Sequence, residues 1–154
     1  MSKIIGVCNQ KGGTGKTTTA INLSSFLGLA GKKTLLIDMD PQGNATSGVG
    51  FNSQEKNSIY DVIMGKANLS ESIYPTQWPQ LYIIPSDISL TGGEVELVNI
   101  ENREMQLRNS IEAIRDEFSY IIIDAPPSLG LLTLNALVAS DSLVIPVQCE
   151  YYAL

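Results

Sequence analysis

The feature that most limits what this chain can fold into is a glycine-rich loop near its start. Lys11-Gly12-Gly13-Thr14-Gly15-Lys16-Thr17-Thr18 follows the apolar run Lys3 to Cys8 and precedes a helical pattern from about Lys16 to Ala30, with Gly31 placed as its stop. Gly12, Gly13 and Gly15 allow the backbone to turn its N–H groups inward with no side chain in the way. A helix beginning near Lys16 adds the partial positive charge of its N-terminus. Together these make a receptor for phosphate. The commoner pattern G-x-x-x-x-G-K-[ST] fails by one position, because Gln10 stands where its first glycine belongs; the variant K-G-G-x-G-K-T-T fits from Lys11 to Thr18. In such a loop Lys16 reaches the β- and γ-phosphates and Thr17 gives a hydroxyl to magnesium.

Beyond the loop, short apolar runs alternate with helical periods. Thr34 to Ile37 reads as a second strand, closed by Asp38-Met39-Asp40-Pro41, and Gln42 to Asn57 has the Gly, Asn and Ser content of a surface loop. A weak helix is expected over Ile59 to Met64 and a strand over Leu81 to Ile84. Two helices should follow, Leu90 to Ile100 and Asn102 to Phe118. In the second, Leu107, Ile111, Ile114 and Phe118 keep a helical period, while Arg103, Arg108, Glu112 and Arg115 lie outside. Tyr120 to Ile123 is a continuous apolar strand ending at Asp124, Leu129 to Ala139 a helix, and Leu143 to Val147 a fifth strand. This alternation predicts an α/β fold, a three-layer sandwich with a parallel sheet between helices. The length of 154 residues suits one domain. Glu150 to Leu154 begins an element and stops, so a domain lacking its C-terminal part is expected.

Composition excludes several alternatives. With 44% hydrophobic and 17% charged residues the chain can build an aliphatic core. A net charge of −6 opposes binding to nucleic acid unless cations cluster. Cys8 and Cys149 lie far apart, in no metal-ligand spacing, inside runs that read as buried strands, so both are expected to be buried and inert. No signal peptide is apparent. The longest apolar region, Leu129 to Val147, is broken by Thr133, Asn135, Ser140, Asp141 and Ser142, so no membrane span and a cytoplasmic location are expected. Histidine is absent, which leaves acid–base work to carboxylates, lysines or a bound nucleotide. Asp38 and Asp40 sit at the carboxyl edge of the second strand, where they either cap a turn or face a ligand. Asp124 ends an apolar strand, where packing gives a carboxylate no reason to be. Trp78, Tyr151 and Tyr152 read as packing groups.

Four separated motifs carry a resemblance. They are Lys11 to Thr18, Leu36-Ile37-Asp38-Met39-Asp40-Pro41-Gln42-Gly43-Asn44-Ala45-Thr46, Ile121-Ile122-Ile123-Asp124-Ala125-Pro126-Pro127-Ser128-Leu129-Gly130, and Pro146-Val147-Gln148-Cys149-Glu150-Tyr151-Tyr152-Ala153-Leu154. With these the chain resembles the ParA/Soj family of chromosome- and plasmid-partitioning ATPases, P-loop proteins of the wider group that includes MinD and the nitrogenase iron protein. It departs from the family slightly, with Thr14 where valine is commoner and Ala125 where cysteine or threonine is often seen.

The resemblance implies ATP and Mg2+ as ligands and ATP hydrolysis as the activity. It implies nucleotide binding by Lys11, Gly12, Gly13, Thr14, Gly15, Lys16, Thr17 and Thr18, and catalytic roles for Lys11, Lys16 and Asp40. Lys11 would cross a dimer interface to the partner's nucleotide, and Asp40 would orient the attacking water. Thr17, Asp38 and Asp124 would hold magnesium, with Asp38 supporting its water shell and Asp124 acting through a water. Pro41 to Asn44 and Ala125 to Leu129 would be the two switches that a γ-phosphate orders. The implied partners are a second subunit across the nucleotide, nonspecific DNA and a stimulating ParB/Spo0J-like protein. The family's DNA-contacting basic residues fall outside this sequence, so the chain alone is not expected to bind DNA.

Three other functions are weighed against this. A MinD-like regulator of division at the membrane would need a C-terminal amphipathic helix, and Asp40 to Asn44 favours the partition branch. A reductase resembling the nitrogenase iron protein would need cluster-ligating cysteines, and neither Cys8 nor Cys149 is at a matching position. A binding module without hydrolysis is opposed by intact Lys16, Thr17, Asp40 and Asp124. No Asn-Lys-x-Asp guanine-reading motif is present.

Overall fold

In the computed structural model, residues 2–54 and 56–149 are described. A six-stranded sheet forms the middle layer, in the order β3-β4-β2-β5-β1-β6. Its strands are β1 (Lys3–Val7), β2 (Thr34–Asp38), β3 (Tyr74–Pro75), β4 (Leu81–Ile84), β5 (Tyr120–Asp124) and β6 (Ser142–Val144). The helices are α1 (Lys16–Leu29), α2 (Asn44–Gly48), α3 (Ile59–Ile63), α4 (Ser89–Leu97), α5 (Gln106–Glu112) and α6 (Leu131–Ala139). Every described strand pair is parallel except β3 with β4. The expected α/β sandwich is present, with a short antiparallel edge added. That edge escapes sequence reading because Pro75 interrupts a run of only two residues.

The central strands are apolar on both faces, and their period of two divides the side chains between two cores. Leu35, Ile37, Ile121 and Ile123 face one core, shared with α3 to α6. Leu36, Ile122, Leu81 and Ile83 face the other, beneath α1 and α2. Complete burial of one such side chain stabilises the fold by roughly 1.5–3 kcal/mol.

Several elements differ from expectation. Within the expected loop Gln42 to Asn57, Asn44–Gly48 is helical and Ala45, Thr46 and Val49 are buried. Residues 102–118 do not form one helix: α5 is flanked by 3-10 turns at Arg103–Met105 and Arg115–Glu117. Asn102 takes a left-handed conformation (φ 51°), and the fully buried Asn135 on α6 accepts the Leu107 N–H at 3.1 Å, so a side chain substitutes for the helix preceding it. Leu107, Ile111, Ile114 and Phe118 are nevertheless buried, as their period requires. β6 ends at Val144 rather than Val147, since Pro146 lacks an N–H to continue the ladder. Cys8 is buried, but Cys149 is exposed because it lies past the end of β6. Trp78 is 39% exposed, which makes it a poor packing group; Tyr151 and Tyr152 lie outside the described residues. Among the described residues no helix is long and apolar enough to cross a membrane.

Candidate nucleotide site

Three neighbouring strands end at one level, because Val7 pairs with Asp124 and Asp38 pairs with Asp124 in register. The glycine loop leaves β1 at this edge and runs into α1, so the loop, the helix N-terminus and both aspartates converge at the carboxyl side of the sheet. Gly13 (φ +72°) and Gly15 (φ +85°) adopt left-handed conformations that side chains oppose, and Gly15 is the N-cap immediately before α1. A cavity of about 260 Å3 lies here, lined by Gly12, Gly13, Gly15, Lys16, Thr17, Thr18, Asp40, Asn44 and Pro127.

Lys16 is buried, and its ammonium donates to the Lys11 carbonyl at 3.0 Å, which holds it over the loop. The Thr14 hydroxyl donates to the same carbonyl at 3.3 Å. Lys11 itself is exposed at the rim. The Thr17 hydroxyl donates to Asp124 Oδ2 at 2.8 Å, joining α1 to β5. Asp124 is fully buried, and its Oδ1 has no hydrogen-bond partner among the described residues. Burial pushes its carboxyl up to about 7; the Thr17 bond and Lys16 oppose this, and the charges of Asp38 and Asp40 add to it.

Asp38 is equally buried but fully engaged. Its Oδ2 accepts the Thr46 N–H (2.8 Å) and hydroxyl (2.7 Å), and its Oδ1 accepts the Asp40 N–H (3.1 Å). Burial raises its carboxyl to about 6, against the pull of these donors. Thr46 also accepts the Ser86 N–H at 3.0 Å, so α2 is tied to both β2 and the end of β4. Asp40 lines the cavity, and its Oδ1 accepts the Gln42 N–H at 2.9 Å, which shapes the turn at Pro41 and Gln42.

The structure therefore brings Lys16, Thr17 and Asp40 around one cavity, with Asp124 joined to it through the Thr17 hydroxyl and Asp38 as the anchor of α2. Sequence reading did not find Thr46, Ser86, Asn9 or Gln148. Thr46 stands at the end of a quoted motif, and its spacing of eight residues from Asp38 carries no pattern of its own.

No group of three or more His, Cys, Asp or Glu residues is placed to hold a metal ion among the described residues. The donor set still fits magnesium, which keeps much of its water and shares itself with substrate phosphates. The orphaned buried oxygen of Asp124, beside the Thr17 hydroxyl, is what such an arrangement needs.

A glycine loop between a parallel strand and a helix, facing carboxylates on the neighbouring strands, defines a P-loop nucleotide-binding domain. A family model described as an AAA domain matches residues 2–154, and the chain belongs to that family. It is 54% identical over 155 residues to the sporulation initiation inhibitor protein Soj of Bacillus subtilis, covering 100% of this chain and 61% of that one. It is also 54% identical over 155 residues to the chromosome partitioning protein ParA of Myxococcus xanthus, covering 100% and 55%. Among solved structures, cobyrinic acid a,c-diamide synthase of Mycobacterium smegmatis, with bound ATP analogue and magnesium, superposes with a TM-score of 0.95 at 35% identity. That match covers 100% of this chain and 63% of the other. The chain thus spans about three fifths of the relatives it matches.

Proposed function

We propose that this chain is the nucleotide-binding core of an ATP-hydrolysing switch of the ParA/Soj partition type. The observation that carries the reading is the Thr17–Asp124 bond at the mouth of the glycine loop, with one Asp124 oxygen left for a further ligand. Lys16 and the loop amides bind the phosphates, and Thr17 and Asp124 hold magnesium, with Asp38 behind them. Bound magnesium supplies positive charge to the phosphate oxygens. Asp40 orients the attacking water, since no histidine exists to do so. Lys11, exposed at the rim, reaches a second subunit's nucleotide in the dimer. Pro41 to Asn44 and Ala125 to Leu129 are the segments that respond to the γ-phosphate. Soj and ParA similarity supports a role in chromosome or plasmid segregation, with a ParB/Spo0J-like protein as stimulating partner, in the cytoplasm.

Calorimetry on Lys16→Ala tests the site: ATP retention should disappear, and unchanged affinity would overturn the reading. In a chain of the relatives' full length, Asp40→Ala should bind ATP and dimerise while releasing almost no phosphate. DNA binding is not expected of this chain alone, because 10 basic residues face 16 acidic ones. An anisotropy titration in low salt should stay flat with or without ATP.

A further inference from the structure

The segment that follows β6 leaves the ladder but continues along the glycine loop. Val144 accepts the Cys8 N–H (3.1 Å), the Pro146 carbonyl accepts the Asn9 side-chain amide (2.8 Å), and the Gln148 side-chain amide donates to the Gly13 carbonyl (2.8 Å). These contacts fall on alternate residues. Val144, Pro146 and Gln148 are half-buried, whereas Ile145, Val147 and Cys149 are exposed, as in a strand with one covered side. Asn9 works in both directions, since its Oδ1 also accepts the Lys11 N–H at 2.9 Å. The loop is thereby held at its start by Asn9 and in its middle by Gln148.

The middle needs such a hold. A Cβ built at Gly12, Gly13 or Gly15 would meet nothing within 4 Å, so these glycines have no neighbour on the side where a side chain would stand, and glycine has the largest backbone freedom to lose. A peptide unit is planar, with its C=O and N–H pointing opposite ways. Pinning the Gly13 carbonyl toward Gln148 therefore sets the direction of the Thr14 N–H on the other side of that peptide. We propose that Gln148 is a positioning residue which, with Asn9, clamps the phosphate loop and preorganises the Gly13–Thr14 peptide for phosphate. The inference rests on the reading of this loop as a phosphate receptor.

The test compares the Thr14 amide by NMR in nucleotide-free wild type, Gln148→Ala and Gln148→Glu, with magnesium–ADP affinity measured by calorimetry on the same samples. Gln148→Ala should shift the Thr14 resonance, speed its hydrogen exchange, and weaken affinity by about 3- to 10-fold, the range of one neutral hydrogen bond. Gln148→Glu should be at least as weak at pH 7.5. Relative to wild type it should recover as the pH falls toward 5, where its carboxyl gains a proton to donate to Gly13. Asn9→Asp keeps the acceptor for Lys11, loses the donor to Pro146 and adds a negative charge at the start of the loop, so it should be at least as weak as Gln148→Ala. An unchanged Thr14 resonance and exchange rate in Gln148→Ala would overturn the clamp, whatever the affinity. If wild type takes up no nucleotide, the phosphate-receptor reading falls while the Thr14 amide still decides the clamp.

Discussion

Asp38 and Asp124 occupy paired positions on neighbouring strands, end those strands at the same level, and are both fully buried, yet their surroundings differ. Asp38 receives three donors from Thr46 and the Asp40 backbone. Asp124 receives one, from Thr17, and keeps an oxygen without a partner among the described residues. Burial raises both carboxyls, to about 6 and about 7, and the better-supplied one rises less. A buried carboxylate whose lone pairs are filled by its own protein is a structural anchor. One left partly unsatisfied, bonded to a threonine that lines a ligand cavity, is held at a cost to the fold and fits a ligand-binding role.

Within this pair, the larger effect on nucleotide binding is expected from Asp124→Asn. The amide keeps an oxygen for Thr17 and removes the buried charge. Magnesium-dependent nucleotide affinity should fall by about 10- to 100-fold, while thermal stability in chelator stays equal to wild type or rises. A stability loss as large as that of the Asp38 variant would erase the distinction between the two sites. Asp38→Asn should do the reverse and destabilise the fold, because its amide group would face donors on one side. Urea unfolding should show a loss of about 2–3 kcal/mol, the scale of a buried donor left unsatisfied beside a lost charge-assisted bond. Thr46→Val should lose a similar amount, since it removes one donor to Asp38 and leaves the buried Ser86 N–H without its acceptor.

The smallest effect concerns pH. A carboxyl raised in the folded state holds its proton where the unfolded chain has lost it, so its contribution to stability weakens as pH rises toward its folded value. Metal-free wild type should therefore gain stability between pH 8 and 6, with a slope from Asp124 of at most about 1.4 kcal/mol per pH unit. Asp124→Asn should flatten that slope. Asp141 behaves oppositely: burial would raise it, but the Ile4 N–H and the Arg115 guanidinium outweigh this and hold it below the usual carboxylate range. Its stabilisation is complete at neutral pH and lost only as pH falls through that lowered value, outside the window measured. A slope that survives Asp124→Asn would assign the effect to Asp38 or elsewhere.

What the sequence made legible follows the range of the forces involved. The glycine loop, α1 and the apolar central strands are fixed by local pattern, and Asp124 was conspicuous because a carboxylate ends an otherwise apolar run. The helix at Asn44–Gly48 was not legible, since its residues favour loops and it forms where Asp38 captures Thr46. The interruption before α5 depends on Asn135, 28 positions from Leu107, and the Gln148 contact spans 135 positions to Gly13. Side chains that complete a distant backbone leave no periodic trace.

The division of β5 between two cores bears on how the chain finds its alignment. Ile121, Ile122 and Ile123 are the same residue in succession, so sliding the strand by one step would return isoleucine to either face. Hydrophobicity, which ordinarily punishes such a slip by turning a strand inside out, is almost blind to it here. Only the polar ends mark the strand's zero point. The aspartate that closes β5, bonded to Thr17, is thus the polar mark that distinguishes one register from the next, and Asp124→Asn, which keeps an oxygen for Thr17, silences the site while leaving that mark in place.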